Sequence, residues 1–177
     1  QLEALLANRV DAIFGKGAEA ALLEREANGR IRLLYDIRSS PEISDRVNNS
    51  TPRLITAGAR LVGDHPEAVI RYLQGILRAA RWALRHPEET RNIVAIDCGI
   101  APADLERCFQ PDYATRLMPA ASPELLATLE VMKSFLFEKG YLARDFSIER
   151  WLNADLLKEA LTREGSEQAV EDAFAMR

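Results

Sequence analysis

Cysteine and histidine are scarce in this chain of 177 residues, with two of each. Cys98 and Cys108 do not have zinc-knuckle spacing, and two histidines add few further donors, so no metal site is expected. The two thiols fit either a disulfide or two free, partly buried side chains, and either fits a different redox compartment. Charge of one sign is also lacking. The 23 Lys and Arg and 27 Asp and Glu leave a net charge of −4 with no basic cluster. Sequence-independent nucleic-acid binding needs a Lys/Arg footprint and is not expected here. No apolar run approaches the roughly 18 residues of a membrane span. Initiator Met, basic n-region and signal-like segment are missing as well. The chain opens instead on QLEALLANR, with Leu2, Leu5 and Leu6 at helical spacing. A start inside an amphipathic helix reads as the C-terminal part of a longer protein.

What is present suits a soluble globular chain. Apolar residues make up 47% and charged residues 28%, within the ordinary range, and the length can enclose a core of ordinary size. The stretch RVDAIFGKG, residues 9–17, reads as a strand over 9–14 ending in a glycine-flanked loop. Residues 18–27 read as a helix closed by Asn28-Gly29, both tolerant of the left-handed conformation that a helix end favours. IRLLYDI (31–37) and RLITAG (53–58) read as two more strands, joined by the polar connection 38–52.

Beyond residue 63 the pattern becomes helical. His65-Pro66-Glu67 opens one helix, with Pro and an acidic residue in the first turn. Its apolar stripe is Val69, Ile70, Leu73, Ile76, Leu77, Ala80 and Leu84. His86-Pro87-Glu88 opens a second, stopped by Cys98-Gly99, and a third spans about 102–109. Ser122-Pro123-Glu124 caps a fourth with the stripe Leu125, Leu126, Leu129, Met132, Phe135 and Leu136, closed by Gly140. A fifth follows Asp145 and includes Trp151. Three short strands rarely make a sheet alone, so the crowding of strands into the first third implies partner strands upstream.

Two stretches are candidates for ligand contact. Gly15-Lys16-Gly17 satisfies neither the P-loop nor the dinucleotide fingerprint. As a loop between strand end and helix it is either a pocket lip, with backbone N–H groups turned outward, or a plain turn. In NNSTPR, the side chains of Asn49, Ser50, Thr51 and Arg53 could donate to an anion, or form a solvated loop. His65 and His86 are explained by capping. Trp82, Trp151, Phe135 and Phe137 read as core, and no carboxylate pair stands apart as an acid/base dyad. No catalytic residue, metal or cofactor is assigned.

The order of segments resembles a known family. ALLANRVDAIFGKG, RIRLLYDI, STPRLITAGARLV and DHPEAVIRYLQGILRAARWALRHPEE are followed by GIAPADLERCF and SPELLATLEVMKSFLFEKGYLARDFSIERWLNADLLKEAL. Together, up to about residue 161, they resemble the C-terminal half of the type II periplasmic binding fold. The nearest branch is the nitrate, sulfonate, taurine and thiamine-precursor group of ABC-transporter substrate-binding proteins. The most specific parts are the two HPE starts and the closing K-x-F-L-x-x-x-G, DF and W. The resemblance implies an α/β fold in which residues 1–50 end the second lobe. Residues 51–177 then form the return crossover and the helices that pack on the first lobe. It implies a solute-binding protein, not an enzyme, that closes on a small organic molecule or anion and hands it to an ABC permease in the periplasm or another extracytoplasmic space. Gly15, Lys16, Gly17, Asn49, Ser50, Thr51 and Arg53 would face the ligand. The same resemblance extends to desulfinase-type and pyrimidine-synthase-type enzymes, which form the alternative, as does a helical interaction module. Neither Cys98 nor Cys108 falls where the desulfinase nucleophile lies.

Overall fold

The computed structural model describes residues 1–15, 17–47, 53–102, 104–105, 117–165 and 167–175. The described elements are α1 (Leu2–Leu6), α2 (Gly17–Ala27), a 3₁₀ turn (Ile37–Ser39), α3 (Ile43–Arg46), α4 (Ala59–Asp64), α5 (Pro66–Arg85), α6 (Pro87–Cys98), α7 (Pro123–Glu138), α8 (Ile148–Trp151), α9 (Ala154–Arg163) and α10 (Glu167–Phe174).

The long helices begin and end where their sequences direct. Glu67 lies in the first turn of α5 and Arg85 in its last, each at the end of the dipole that favours its charge. Pro87 occupies the first turn of α6, where its missing N–H costs nothing, and Gly99 closes that helix in the left-handed conformation at φ +66°. For α7, the Ser122 hydroxyl accepts from the Leu125 amide. At its other end Gly140 takes φ +76°, and the Tyr141 amide donates back to the Leu136 carbonyl at 2.8 Å. Asn28 and Gly29 are both left-handed after α2, as expected.

The chain divides into two compact units, one of residues 1–35 and 80–117, the other of 36–79 and 118–177. Helix α5 passes from the second to the first. The second unit holds the larger core. Val69, Ile70, Leu73 and Leu77 of α5 meet Leu157, Ala160 and Leu161 of α9 and Ala173 of α10, flanked by Val62, Met118, Val170 and Phe174. The Ala121 amide bonds the Ala173 carbonyl at 2.9 Å and ties the α10 end to the segment before α7. The first unit has a smaller core of Ala95, Ile100 and Leu105 packed against Leu22 and Val94. Within it Arg25 of α2 bonds Asp104, and the buried Thr90 hydroxyl donates to the Ala83 carbonyl at 3.3 Å.

The α/β architecture expected from the sequence is not what forms. Among the described residues there is no β-strand, and helices carry the regular structure. The three stretches read as strands, 9–14, 31–37 and 53–58, are irregular apart from the 3₁₀ turn that begins at Ile37. A helix satisfies its own backbone bonds, whereas a strand exists only through a neighbour's ladder. The backbones of Ile31–Tyr35 and Arg53–Ala57 make no such bonds among the described residues. Apolar pattern alone therefore leaves these segments without a sheet. Many of their side chains stay in solvent, with Leu33 63%, Leu34 67% and Tyr35 56% exposed, while Ile13, Ile31 and Ile37 are half-buried.

The helical stripes are partly shifted from expectation. On α5, Val69, Ile70, Leu73, Leu77 and Ala80 are buried, but Leu84 is exposed. On α7 the buried positions are Thr128, Leu129 and Lys133, whereas Leu125 and Phe135 face solvent. A lysine thus occupies the buried face of α7, and that exception marks a polar site.

Candidate functional site

Lys133 is 8% exposed. A buried ammonium is tolerated only when each proton has an acceptor. Here the Glu130 carboxylate lies at 2.5 Å, one turn earlier on α7. Asp145 Oδ1 lies at 2.9 Å, and the Phe146 carbonyl accepts at 3.1 Å. The Phe146 ring stands 6.0 Å from the ammonium, centroid to Nζ, and packs against Trp151 with centroids 5.8 Å apart and planes tilted by 57°. Asp145 Oδ1 also accepts from the Phe146 amide at 2.8 Å, which helps to orient the carboxylate toward Lys133. The hydrogen bond to Glu130, followed by that to Asp145, raises the Lys133 pKa above its ordinary value. The same contact, with the Phe146 amide, holds Asp145 below the usual carboxylate range.

Next to this knot lies an open recess of about 520 Å³, lined by Glu130, Lys133, Asp145, Phe146, Ser147, Ile148 and Glu149. Three carboxylates and one ammonium line it, and that ammonium has no proton left to offer. The recess is therefore a poor host for an anion. The Ser147 hydroxyl is engaged too, since it accepts from the Arg150 amide and caps α8. Chemically this is a clamp joining α7 to the 145–151 turn. These contacts favour the protonated form of Lys133 and give it a structural role between the two segments.

A second polar knot joins α5 to α9. Arg163 donates to both oxygens of Glu67, at 2.7 and 2.9 Å, and to Glu159 at 2.7 Å. The fork geometry suits a guanidinium and a carboxylate, and it lowers the Glu67 pKa. Nearby, Glu164 accepts from Gln74 and Arg78, each at 3.0 Å. The glutamate of the first HPE start is thus a structural anchor.

The second HPE start behaves differently. The His86 side chain makes no capping bond. Instead its ring stacks on Trp82, with centroids 4.7 Å apart and planes 14° from parallel, while Nδ1 lies 3.4 Å from Glu89. Backbone geometry, not the imidazole, starts α6. Glu89 is held below its usual pKa first by its own backbone amide and then by His86.

The ligand contacts expected from sequence are dispersed. Gly15 belongs to the first unit, where an added Cβ would come within 3.2 Å of the Ala20 Cβ. The requirement for glycine there is close packing on α2. Gly17 begins that helix. Arg53 belongs to the second unit and is exposed in the irregular stretch before α4. Lys16, Asn49, Ser50 and Thr51 lie outside the described residues, as does Cys108. Cys98 is an exposed free thiol at the last position of α6. Among the described residues no group of three or more His, Cys, Asp and Glu is arranged to hold a metal ion.

Sequence reasoning did not single out Lys133 as a site. It did mark K-x-F-L-x-x-x-G, DF and W as a pattern, and the structure brings Lys133, Asp145, Phe146 and Trp151 together. The signal was a lysine interrupting the apolar face of α7, followed by an aspartate twelve residues on.

No family model matches the chain, and no solved structure matches it significantly. Among curated proteins it is similar to 2'-hydroxybiphenyl-2-sulfinate desulfinases of Rhodococcus erythropolis and Rhodococcus qingshengii. Identity to each is 25% over 115 residues, which is 65% of this chain and 32% of the relative. The similar stretch thus spans about a third of the length of these curated relatives, and the chain is a distant homologue of a desulfinase.

Proposed function

We propose that this chain is part of a solute-binding component of an importer that captures a small organic sulfur oxyanion reversibly and passes it to a membrane permease. The observation that carries this reading is the 115-residue similarity to proteins named for an aryl sulfinate. It suggests the ligand class, an aromatic apolar body bearing a compact anion. Arg53 suits the anionic end. Its guanidinium is exposed and has no ion-pair partner among the described residues, and its fork matches two sulfinate oxygens. Asn49, Ser50 and Thr51, close in sequence, would add neutral donors.

The second reading is a desulfinase-like enzyme, favoured by the names of the relatives. In that reaction the aryl carbon–sulfur bond breaks; water supplies a proton to the carbon and hydroxide to the sulfur, which leaves as bisulfite. One experiment separates the two. The protein expressed from its intact gene is titrated calorimetrically with 2'-hydroxybiphenyl-2-sulfinate, and released sulfite is measured in the same sample. Heat of binding without sulfite supports the receptor. Sulfite in proportion to protein and time replaces it with the enzyme, and neither signal removes both. For the receptor, Arg53→Ala is expected to weaken binding by more than about tenfold, the loss typical of one charge-assisted bond. Unchanged affinity would remove Arg53 from the site.

A further inference from the structure

The turn that closes α2 carries the single Asn-Gly pair of the sequence, Asn28-Gly29. Both residues are exposed and left-handed, at φ +48° and +80°. Bonds hold the turn on either side of the pair. The Asn28 amide donates to the Arg25 carbonyl at 3.2 Å, and the Arg30 amide donates to the Ala27 carbonyl at 3.1 Å. The peptide unit between Asn28 and Gly29 is different. Neither the Asn28 carbonyl nor the Gly29 N–H has a hydrogen-bond partner among the described residues, and the Asn28 side chain has none either. Swinging that peptide plane therefore breaks no hydrogen bond, and glycine accepts the changed backbone angles without a steric penalty. A Cβ at Gly29 would meet no atom within 4 Å, so there is room around it.

We propose that Asn28 is a site of spontaneous covalent modification, losing its side-chain amide through a cyclic imide. Asparagine is among the thermolabile residues, and here the neighbouring nitrogen is unengaged. The Gly29 nitrogen attacks the side-chain carbonyl carbon of Asn28 and gives up its proton, and the carboxamide nitrogen leaves as ammonia. Water then adds to one of the two imide carbonyls. Cleavage at the side-chain carbonyl leaves aspartate. Cleavage at the main-chain carbonyl leaves isoaspartate, with the chain now running through the side chain. One water is consumed, one ammonia is released, and nothing is oxidised or reduced. The reacting groups are this pair and water, so no other part of the protein has to supply one.

The other described asparagines lack these conditions. The Arg9 amide that follows Asn8 is bonded to the Ala4 carbonyl at 2.8 Å. Asn92 and the β-branched Ile93 lie inside α6, and Asn153 is followed by Ala154, which begins α9 and carries a Cβ. At position 28 the change has a structural consequence. It puts a negative charge at the C-terminal end of the α2 dipole, where it is disfavoured. Isoaspartate also adds a methylene to the main chain, one residue after the fully buried Ala27. The Ala27 carbonyl holds both the Arg30 amide and the Arg30 Nε, each at 3.1 Å, and the lengthened chain shifts that register.

The protein expressed from its intact gene tests this, incubated at neutral and at mildly alkaline pH and then digested with trypsin. A zero-time digest corrects for change during digestion. Peptide 26–30 should gain the mass difference of water for ammonia and resolve into aspartyl and isoaspartyl forms. It should do so faster at the higher pH, where hydroxide removes the amide proton, and before the peptides that hold Asn8, Asn92 and Asn153. Asn28→Gln, whose longer side chain closes a larger ring, should leave the peptide unchanged. Retention of Asn28 while the synthetic peptide 26–30 is converted overturns the proposal, because the folded turn then blocks the attack. Aspartate without isoaspartate also overturns it, since direct hydrolysis bypasses the imide, as does earlier conversion at Asn8, Asn92 or Asn153.

Discussion

Leu77→Ala should lower the stability of the second unit by about 3 kcal/mol, within the roughly 2–5 kcal/mol range for emptying a fully buried leucine site. Leu77 has no exposed surface and sits at the centre of the α5 contribution to the core shared with Leu157, Ala160 and Leu161. Truncation removes apolar area and also leaves a cavity, because helices pinned by Arg163–Glu67 and by Glu164 with Gln74 and Arg78 have little freedom to close over it. Trp151 lies in this unit and Trp82 in the other. A Trp82→Phe background therefore makes urea unfolding report on the second unit by fluorescence, and the midpoint should fall with the slope unchanged. Ile96→Ala, at a position 81% exposed on α6, is the control and should shift stability by less than about 0.5 kcal/mol. A Leu77→Ala loss no larger than the control's would mean that the core described around α5 does not hold the unit together.

That core was readable from sequence because helices are local objects. Pro66, Glu67 and Arg85 mark the ends of α5, and the 3.6-residue recurrence of Val69, Ile70, Leu73, Leu77 and Ala80 marks its buried face. The same holds for Gly99 and Gly140, whose left-handed conformations close α6 and the α7 end. The strand-like stretches show the opposite case. VDAIF, RLLY and LIT carry β-prone residues, yet whether they become strands depends on a partner that the stretch itself does not encode. The alternation that predicts a strand also describes an unpaired apolar segment, and the exposed Leu33 and Leu34 show that outcome.

The face of α7 was misread for a related reason. Of the expected stripe, Leu129 is buried and Leu126, Met132 and Leu136 are half-buried, but Leu125 and Phe135 face solvent while Thr128 and Lys133 are buried, the lysine bringing its own acceptors. Hydrophobicity counts penalise a buried lysine. They do not see that Glu130 lies one turn away and that Asp145-Phe146 returns to meet it. The ligand contacts were less legible still. Glycines and hydroxyls in GKG and NNSTPR are equally at home in turns, and Gly15 has a packing reason in Ala20 that needs no ligand. The specific-looking pattern K-x-F-L-x-x-x-G, DF and W thus marks a structural clamp in this chain, which makes it a marker of fold more than of substrate.

The clamp yields the second large effect. Lys133→Met keeps the length of the stem and removes the ammonium, leaving Glu130, Asp145 and the Phe146 carbonyl without their shared donor. The variant should be less stable than the unaltered chain at pH 7, and the pH dependence of that difference identifies the cause. Asp145 is held below its ordinary pKa by Lys133. Its contribution is complete above the unfolded carboxylate value of about 3.9 and is lost as pH falls through the lower folded value. Lys133 is raised above its ordinary pKa. Its contribution is complete below the unfolded value of about 10.4 and is lost as pH rises through the higher folded one. The stability difference between the unaltered chain and Lys133→Met should therefore form a plateau between about pH 5 and pH 9 and shrink on both sides. Asp145→Asn should remove the acid-side fall, and the double variant should be less destabilised than the sum of the two singles, since each single already breaks the same bond. A difference constant from acid to alkaline pH would assign the role of Lys133 to the packing of its stem against α7 and Phe146, with the charges as bystanders.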